Sequence, residues 1–178
     1  MLGQLDLLPA LEVPELLAPA VLAALQSWPR AAEVQVAAID ADLADTAAFC
    51  AAYDVGPDVS ANCVVVVGRR GDALRRAACV VLATTRVDVN GVVRRQLDVR
   101  KASFGPRQET TDATAMEYGG ITPVGLPDDW PVLLDAAVLD VRLVVVGSGL
   151  RRSKLVLPGA ALAQLPGAQV LTGLGRPG

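Results

Sequence analysis

Residues 118–125 read Tyr-Gly-Gly-Ile-Thr-Pro-Val-Gly, with Gly119 and Pro123 in a G-x-x-x-P spacing. Two adjacent glycines leave no Cβ between the backbone and whatever lies beside it, so this loop can approach another molecule closely. The same pair also reads as a helix stop followed by a tight turn. Thr110 to Tyr118 has a helical pattern, and Gly119 is a favourable residue just past its end.

Outward from this loop the apolar pattern keeps changing period. Pro14 to Trp28 carries leucine, valine and alanine at helical spacing and predicts an N-terminal helix over 14–28, ended by Pro29. Glu33 to Ile39 alternates as a strand does. Asp45 to Tyr53 predicts a short helix with Asp45 or Thr46 as its cap. Cys63 to Val67 (CVVVV) and Cys79 to Ala83 (CVVLA) are β-branched runs divided by a turn at Arg70-Gly71-Asp72. Asn90-Gly91 would suit a hairpin, but Val89, Val92, Val93 and Leu97 keep helical spacing behind Asp88, and the helix is preferred. Strands follow at Val132–Leu134, Leu143–Val146 and Lys154–Leu157, then a helix from Gly159 to Leu165. Residues 175–178 read as a disordered tail. Strands mixed with short helices, without regular βαβ alternation, predict one α+β domain over 1–178 around a largely closed, barrel-like sheet.

Composition narrows the chemistry. The 178 residues contain no histidine, which excludes Ser-His-Asp and Cys-His nucleophiles, histidine bases and histidine-ligated metals. Three cysteines without CxxC spacing suggest neither a disulfide framework nor a zinc site, and no cofactor is expected. No apolar run approaches the roughly 20 residues of a membrane span, and no basic flank precedes an apolar N-terminal segment, so the cytoplasm is the expected compartment. Net charge is −3, yet Arg69 to Arg107 holds ten basic residues against three acids, leaving −10 for the rest. Such a segment suits a phosphate backbone, and equally a solvated arginine-rich face.

In order and spacing, Thr46 to Val170 resembles the YbaK family of aminoacyl-tRNA editing proteins. The resemblance is carried by TAAFCAAYDV (Thr46–Val55), Gly71-Asp72, ACVVLATT (Ala78–Thr85), RKASF (Arg100–Phe104), YGGITPVG, VGSG (Val146–Gly149) and KLVLPGAALAQLPGA from Lys154. It implies a barrel-like mixed, largely antiparallel sheet wrapped by short helices, and a pocket for the aminoacyl end of tRNA. It implies trans-acting hydrolysis of mischarged aminoacyl-tRNA, the tRNA's terminal ribose hydroxyl helping to activate water, so no side-chain nucleophile is required. Backbone N–H groups at Gly119 and Gly120 would hold the ester carbonyl and its oxyanion. Ile121, Thr122, Pro123 and Gly125 would shape the substrate site. The tRNA acceptor end would meet the 69–107 segment, with an aminoacyl-tRNA synthetase as a further partner and no membrane involvement.

Asn62 stands where the family usually has a lysine, so a positioning charge is exchanged for a shorter, neutral donor and acceptor. Lys101 or a nearby arginine could take its place. The competing reading is a protein that keeps the pocket as a binding site and loses turnover. By strand alternation Cys63 points away from the face Asn62 addresses and reads as a wall or core cysteine, with Cys50 and Cys79 in the core. Asp135 reads equally as a pocket border and as a helix cap. Asp128-Asp129 reads as a solvated loop and Glu117 as a surface position.

Overall fold

The computed structural model describes residues 2–177. In chain order the elements are β1 (Leu8–Pro9), α1 (Pro19–Ser27), β2 (Gln35–Ala38), α2 (Thr46–Tyr53), β3 (Ala61–Arg70) and β4 (Ala73–Leu82). There follow β5 (Thr85–Val87), α3 (Arg94–Gln96), β6 (Ala102–Phe104), α4 (Arg107–Thr114), β7 (Val132–Asp135) and α5 (Ala136–Leu139). The chain closes with β8 (Val144–Gly147), β9 (Ser153–Leu157), β10 (Ala168–Leu171) and β11 (Gly175–Pro177).

Two sheets face one another. One is ordered β1-β2-β9-β8, the other β10-β7-β4-β3-β6, while β5 and β11 form a separate ribbon. Pairing is antiparallel except where β7 runs parallel to both β4 and β10. The period-two rule sorts the core. Along β7, Val132 and Leu134 enter the cluster between the sheets, while Leu133 enters the cluster on the outer face of the five-stranded sheet. On β9, Leu155 and Leu157 face inward, while Val156 packs outward with Phe49 of α2. Each sheet is thus covered on both faces, which accounts for the near-continuous apolar runs at β4, β7 and β9.

The α+β class and the mixed, largely antiparallel pairing match expectation, but the barrel does not close. Between the sheets the described ladder consists of a single parallel bridge, Ser60 with Val145. Closure would need a continuous staggered ladder at that seam. Instead the seam leaves room for a cavity.

Several boundaries also differ. The helix expected over 14–28 begins at Pro19, because a proline ring inside a helix clashes with the carbonyl four residues earlier. A separate 3-10 turn spans Pro14–Leu16. The helix expected at Thr110–Tyr118 is α4, which starts behind Pro106 and ends when Ala115 turns left-handed at φ 53°, before the glycines. Gly159–Gln164 is a 3-10 turn rather than an α-helix. The segment after Asp88 is helical as read: a π-turn over Val89–Val93 runs into α3, and the Asp88 carboxylate accepts the N–H groups of Gly91 and Val92. The expected disorder of residues 175–178 is corrected for 175–177, which form β11 on β5 with Arg176 paired to Asp88 at 2.6 Å. Gly178 lies outside the described residues.

Candidate active site

The seam between the sheets opens into a cavity of about 480 Å³, bordered by the start of β3, α2, β8, Lys154 of β9 and the loop at 118–121. Its position follows from local rules. Asp45 caps α2 by accepting the N–H groups of Ala47 and Ala48, and this sets Thr46 at the helix start, facing β3. The Thr46 hydroxyl donates to Oδ1 of Asn62 at 2.6 Å. The Asn62 Nδ2 has no acceptor among the described residues, so the amide presents its donor end to the cavity.

The glycine loop is pinned from behind. Gly120 is buried, donates its N–H to the Glu117 carbonyl at 2.9 Å and accepts from the Gly149 N–H at 2.7 Å. A Cβ on Gly120 would stand 2.6 Å from the Leu150 carbonyl, and one on Gly147 would stand 2.6 Å from the Ile121 carbonyl. The loop and the β8 end therefore cross backbone to backbone, which is why both positions require glycine. Exposed Glu117 accepts the Arg151 N–H, and the Arg151 guanidinium donates to the Tyr118 and Ala41 carbonyls. Gly119 (φ 91°) and Ile121 border the cavity, and their N–H groups have no acceptor among the described residues.

The structure thus brings together Asn62, Gly119 and Ile121 but not the other expected residues. Gly120 does not border the cavity and its N–H is already committed, so the expected pair of donors at 119 and 120 becomes 119 and 121. Thr122 is buried with its hydroxyl unpartnered, and Pro123 is buried beside it. Gly125 (φ 80°) packs on α1, where a Cβ would stand 2.5 Å from the Ala20 carbonyl. Pro123 and Gly125 border a different cavity, of about 330 Å³, next to Trp28. Asp135 is buried away from the site. It caps α5 through the Ala137 N–H at 2.9 Å, the cap of its two readings, and accepts the Gly175 N–H. Lys101 is exposed and off the cavity wall.

Cys63 borders the cavity alongside Asn62, so strand alternation did not remove it from that wall. Burial, reinforced by Cys79, pushes its thiol well above the ordinary range, so it stays protonated and un-nucleophilic. Cys79 is fully buried and its thiol is pushed up to about 12 by burial, as a core cysteine should be. Cys50 is partly buried against the apolar cluster under α2.

Three residues on the cavity wall escaped sequence reasoning. Lys154 is only 7% exposed, donates from Nζ to the Ala44 carbonyl at 3.0 Å, and sits 5.3 Å from the Phe49 ring centroid. Burial lowers its pKa, opposed by the Cys50 thiol and Asp45 and assisted by Arg151. Phe104 and Tyr118, 60% and 50% exposed, flank the mouth. The Arg107 guanidinium lies 4.4 Å from the Tyr118 ring centroid. The six aromatic residues of the chain are scarce enough that two left in water beside one cavity are a signal.

Three of the ten basic residues in the 69–107 segment are engaged elsewhere. Arg70 and Arg75 both pair with Asp98, at 3.1 and 3.4 Å, and Arg76 lies over Trp130. No cluster of three His, Cys, Asp or Glu able to hold a metal occurs among the described residues, and no helix there is long and apolar enough to cross a membrane.

Residues 40–165 match the sequence model of the aminoacyl-tRNA editing domain. Among solved structures, the chain is similar to a candidate trans-editing enzyme for prolyl-tRNA synthetase, at TM-score 0.75 and 22% identity, covering 90% of this chain and 97% of that one. A hypothetical protein aligns at TM-score 0.72 and 19% identity, covering 83% and 94% respectively. At such identities these likenesses establish the fold. No curated protein matches the chain in sequence.

Proposed function

The chain belongs to the aminoacyl-tRNA editing domain family, and on that premise we propose that it hydrolyses the ester of mischarged aminoacyl-tRNA in trans, in the cavity at the sheet seam. The observation that carries this is the pair of uncommitted N–H groups at Gly119 and Ile121 on a loop locked from behind. Donors fixed before the substrate arrives need no reorganisation when charge develops on the ester oxygen, which is what stabilises an oxyanion. Water adds to the carbonyl carbon, the bond to the ribose oxygen breaks, and that oxygen leaves with a proton. The family resemblance has the neighbouring ribose hydroxyl assist the water. This chain supplies no histidine, and burial holds Cys63 as the neutral thiol, so a covalent thioester route is disfavoured.

Phe104 and Tyr118 are suited to stack the terminal nucleotide at the mouth, because base faces pack on exposed rings whatever the sequence. Arg107 on the Tyr118 ring would meet the adjoining phosphate. This narrows the nucleic-acid role of the basic segment to its end nearest the cavity. Association with an aminoacyl-tRNA synthetase is a proposal carried by the resemblance alone.

The neutral amide at Asn62 favours a second reading, a binding protein with slow or absent turnover. A deacylation screen with tRNAs bearing Ala, Cys, Ser and Pro tests the first: release of amino acid from at least one above the buffer rate is expected. Binding of an aminoacyl-tRNA without release from any would establish the second.

A further inference from the structure

The cavity wall carries a lysine that is not among the expected site residues. On β9, Lys154 pairs across the sheet with Ala37 and Gly147, two small residues that leave its long stem room to lie toward α2. The side chain is buried, the residue borders the cavity, and Nζ spends one of its three donors on the Ala44 carbonyl. The Phe49 ring face accompanies it, but no carboxylate pairs with it among the described residues. A buried ammonium is costly when it is neither paired nor fully hydrogen-bonded. The charge has no ion-pair partner among the described residues, and Lys154 borders the space a ligand would fill. On the same wall Asn62 has committed its acceptor to Thr46 and offers only a neutral donor.

We infer that Lys154 is the positioning cation of this site: its ammonium, steadied by Ala44, donates to an oxygen of the aminoacyl ester and turns the carbonyl toward the loop. The inference rests on the editing reading above. Its consequence is that charge reaches the pocket from β9 rather than from the start of β3.

The test uses 3′-aminoacylamino-3′-deoxyadenosines bearing Ala, Ser, Cys and Pro, which keep the carbonyl but resist hydrolysis. Titration calorimetry compares wild type, Lys154→Met, and Lys154→Met combined with Asn62→Lys. Loss of one charged hydrogen bond should weaken the best-bound probe about 10- to 100-fold in Lys154→Met. Supplying an ammonium from the start of β3 in the double variant should recover a substantial part of that loss. A merely structural lysine gives a different pattern: the melting temperature falls, binding falls with it, and Asn62→Lys restores neither. That pattern overturns the inference, as does a Lys154→Met Kd within twofold of wild type. Wild type that binds none of the four probes overturns it together with the editing reading. The two readings separate otherwise. Binding that depends on Lys154 without release from any charged tRNA keeps the lysine and sinks the hydrolysis, while equal turnover by wild type and Lys154→Met does the reverse.

Discussion

The Thr46 hydroxyl holds Oδ1 of Asn62 at 2.6 Å, so the first residue of α2 fixes which end of an amide on β3 faces the cavity. An asparagine without such a lock presents either end, and only one of them can donate to an ester carbonyl.

Thr46→Val should therefore lower kcat/KM for deacylation several-fold while costing about 1 kcal/mol of stability, the usual net worth of one hydrogen bond. Thr46→Ser keeps the hydroxyl and should retain most of the activity. Steady-state kinetics with thermal melts on both variants checks this, and equal activity in Val and Ser would remove the lock from the mechanism.

Gly119 and Gly120 should separate cleanly. Gly120→Ala sets a Cβ against the Leu150 backbone and should destabilise the fold by about 1–3 kcal/mol, a typical overpacking cost, seen as a lowered melting temperature. Gly119→Ala meets only the tip of the Arg151 side chain, but must hold φ 91°, at a cost on the order of 1–3 kcal/mol for such a backbone strain. Its distinctive effect is on kcat, because relieving the strain turns the 119 N–H out of position. A kcat unchanged in folded Gly119→Ala protein would exclude that donor.

The contrast between these glycines shows where sequence reasoning reached its limit. The motif located the loop, and capping logic found Asp45 and Asp88 because both act on N–H groups within four residues. What the loop touches is decided by distant partners. Gly120 answers to Leu150, and Gly125 answers to Ala20. Two residues of one eight-residue motif thus support packing, while Tyr118, Gly119 and Ile121 border the cavity. Lys154 was out of reach for the same reason. Only the register of β9 against Ala37 and Gly147 carries it to α2, and nothing local to Ser-Lys-Leu-Val encodes that register. The open seam was equally hidden, since near-continuous apolar strands fit a closed barrel and two covered sheets alike.

Lys154 should give the protein a pH signature. Burial holds its pKa below the ordinary 10.5, with Asp45 and Cys50 pulling it up and Arg151 pushing it down. A lysine with a lower pKa folded than unfolded binds fewer protons in the folded state. Its charge therefore costs stability below the folded value, and that cost is relieved as pH rises from the folded value toward 10.5. The melting-temperature gap between Lys154→Met and wild type should accordingly shift in favour of wild type across that window. Affinity for the amide probes should move the opposite way, falling as the ammonium is lost. Calorimetric titrations and melts across the alkaline range read both, and affinity flat with pH would contradict a role for the charged form.

The mouth offers the last test. Tyr118 and Phe104 are exposed and pack little of the core, so their loss should hardly move the melting temperature. If they stack the terminal nucleotide, Tyr118→Ala should cost about 1–3 kcal/mol of binding, the range for one base–aromatic contact. In kinetics this appears mainly as a raised KM for aminoacyl-tRNA. Tyr118→Phe retains the ring and should behave as wild type. Arg107→Gln should act differently: it should weaken all tRNAs alike and reduce the slope of log affinity against log salt by about one contact, the mark of a phosphate partner. Reversing Arg94 and Arg95, farther along the basic segment and off the cavity wall, separates a local contact from a broad one. If that double reversal to Glu weakens tRNA as much as Arg107→Gln, the whole segment engages the acceptor arm. If only Arg107 matters, the nucleic acid is gripped at the mouth, by one ring and one guanidinium beside the ester.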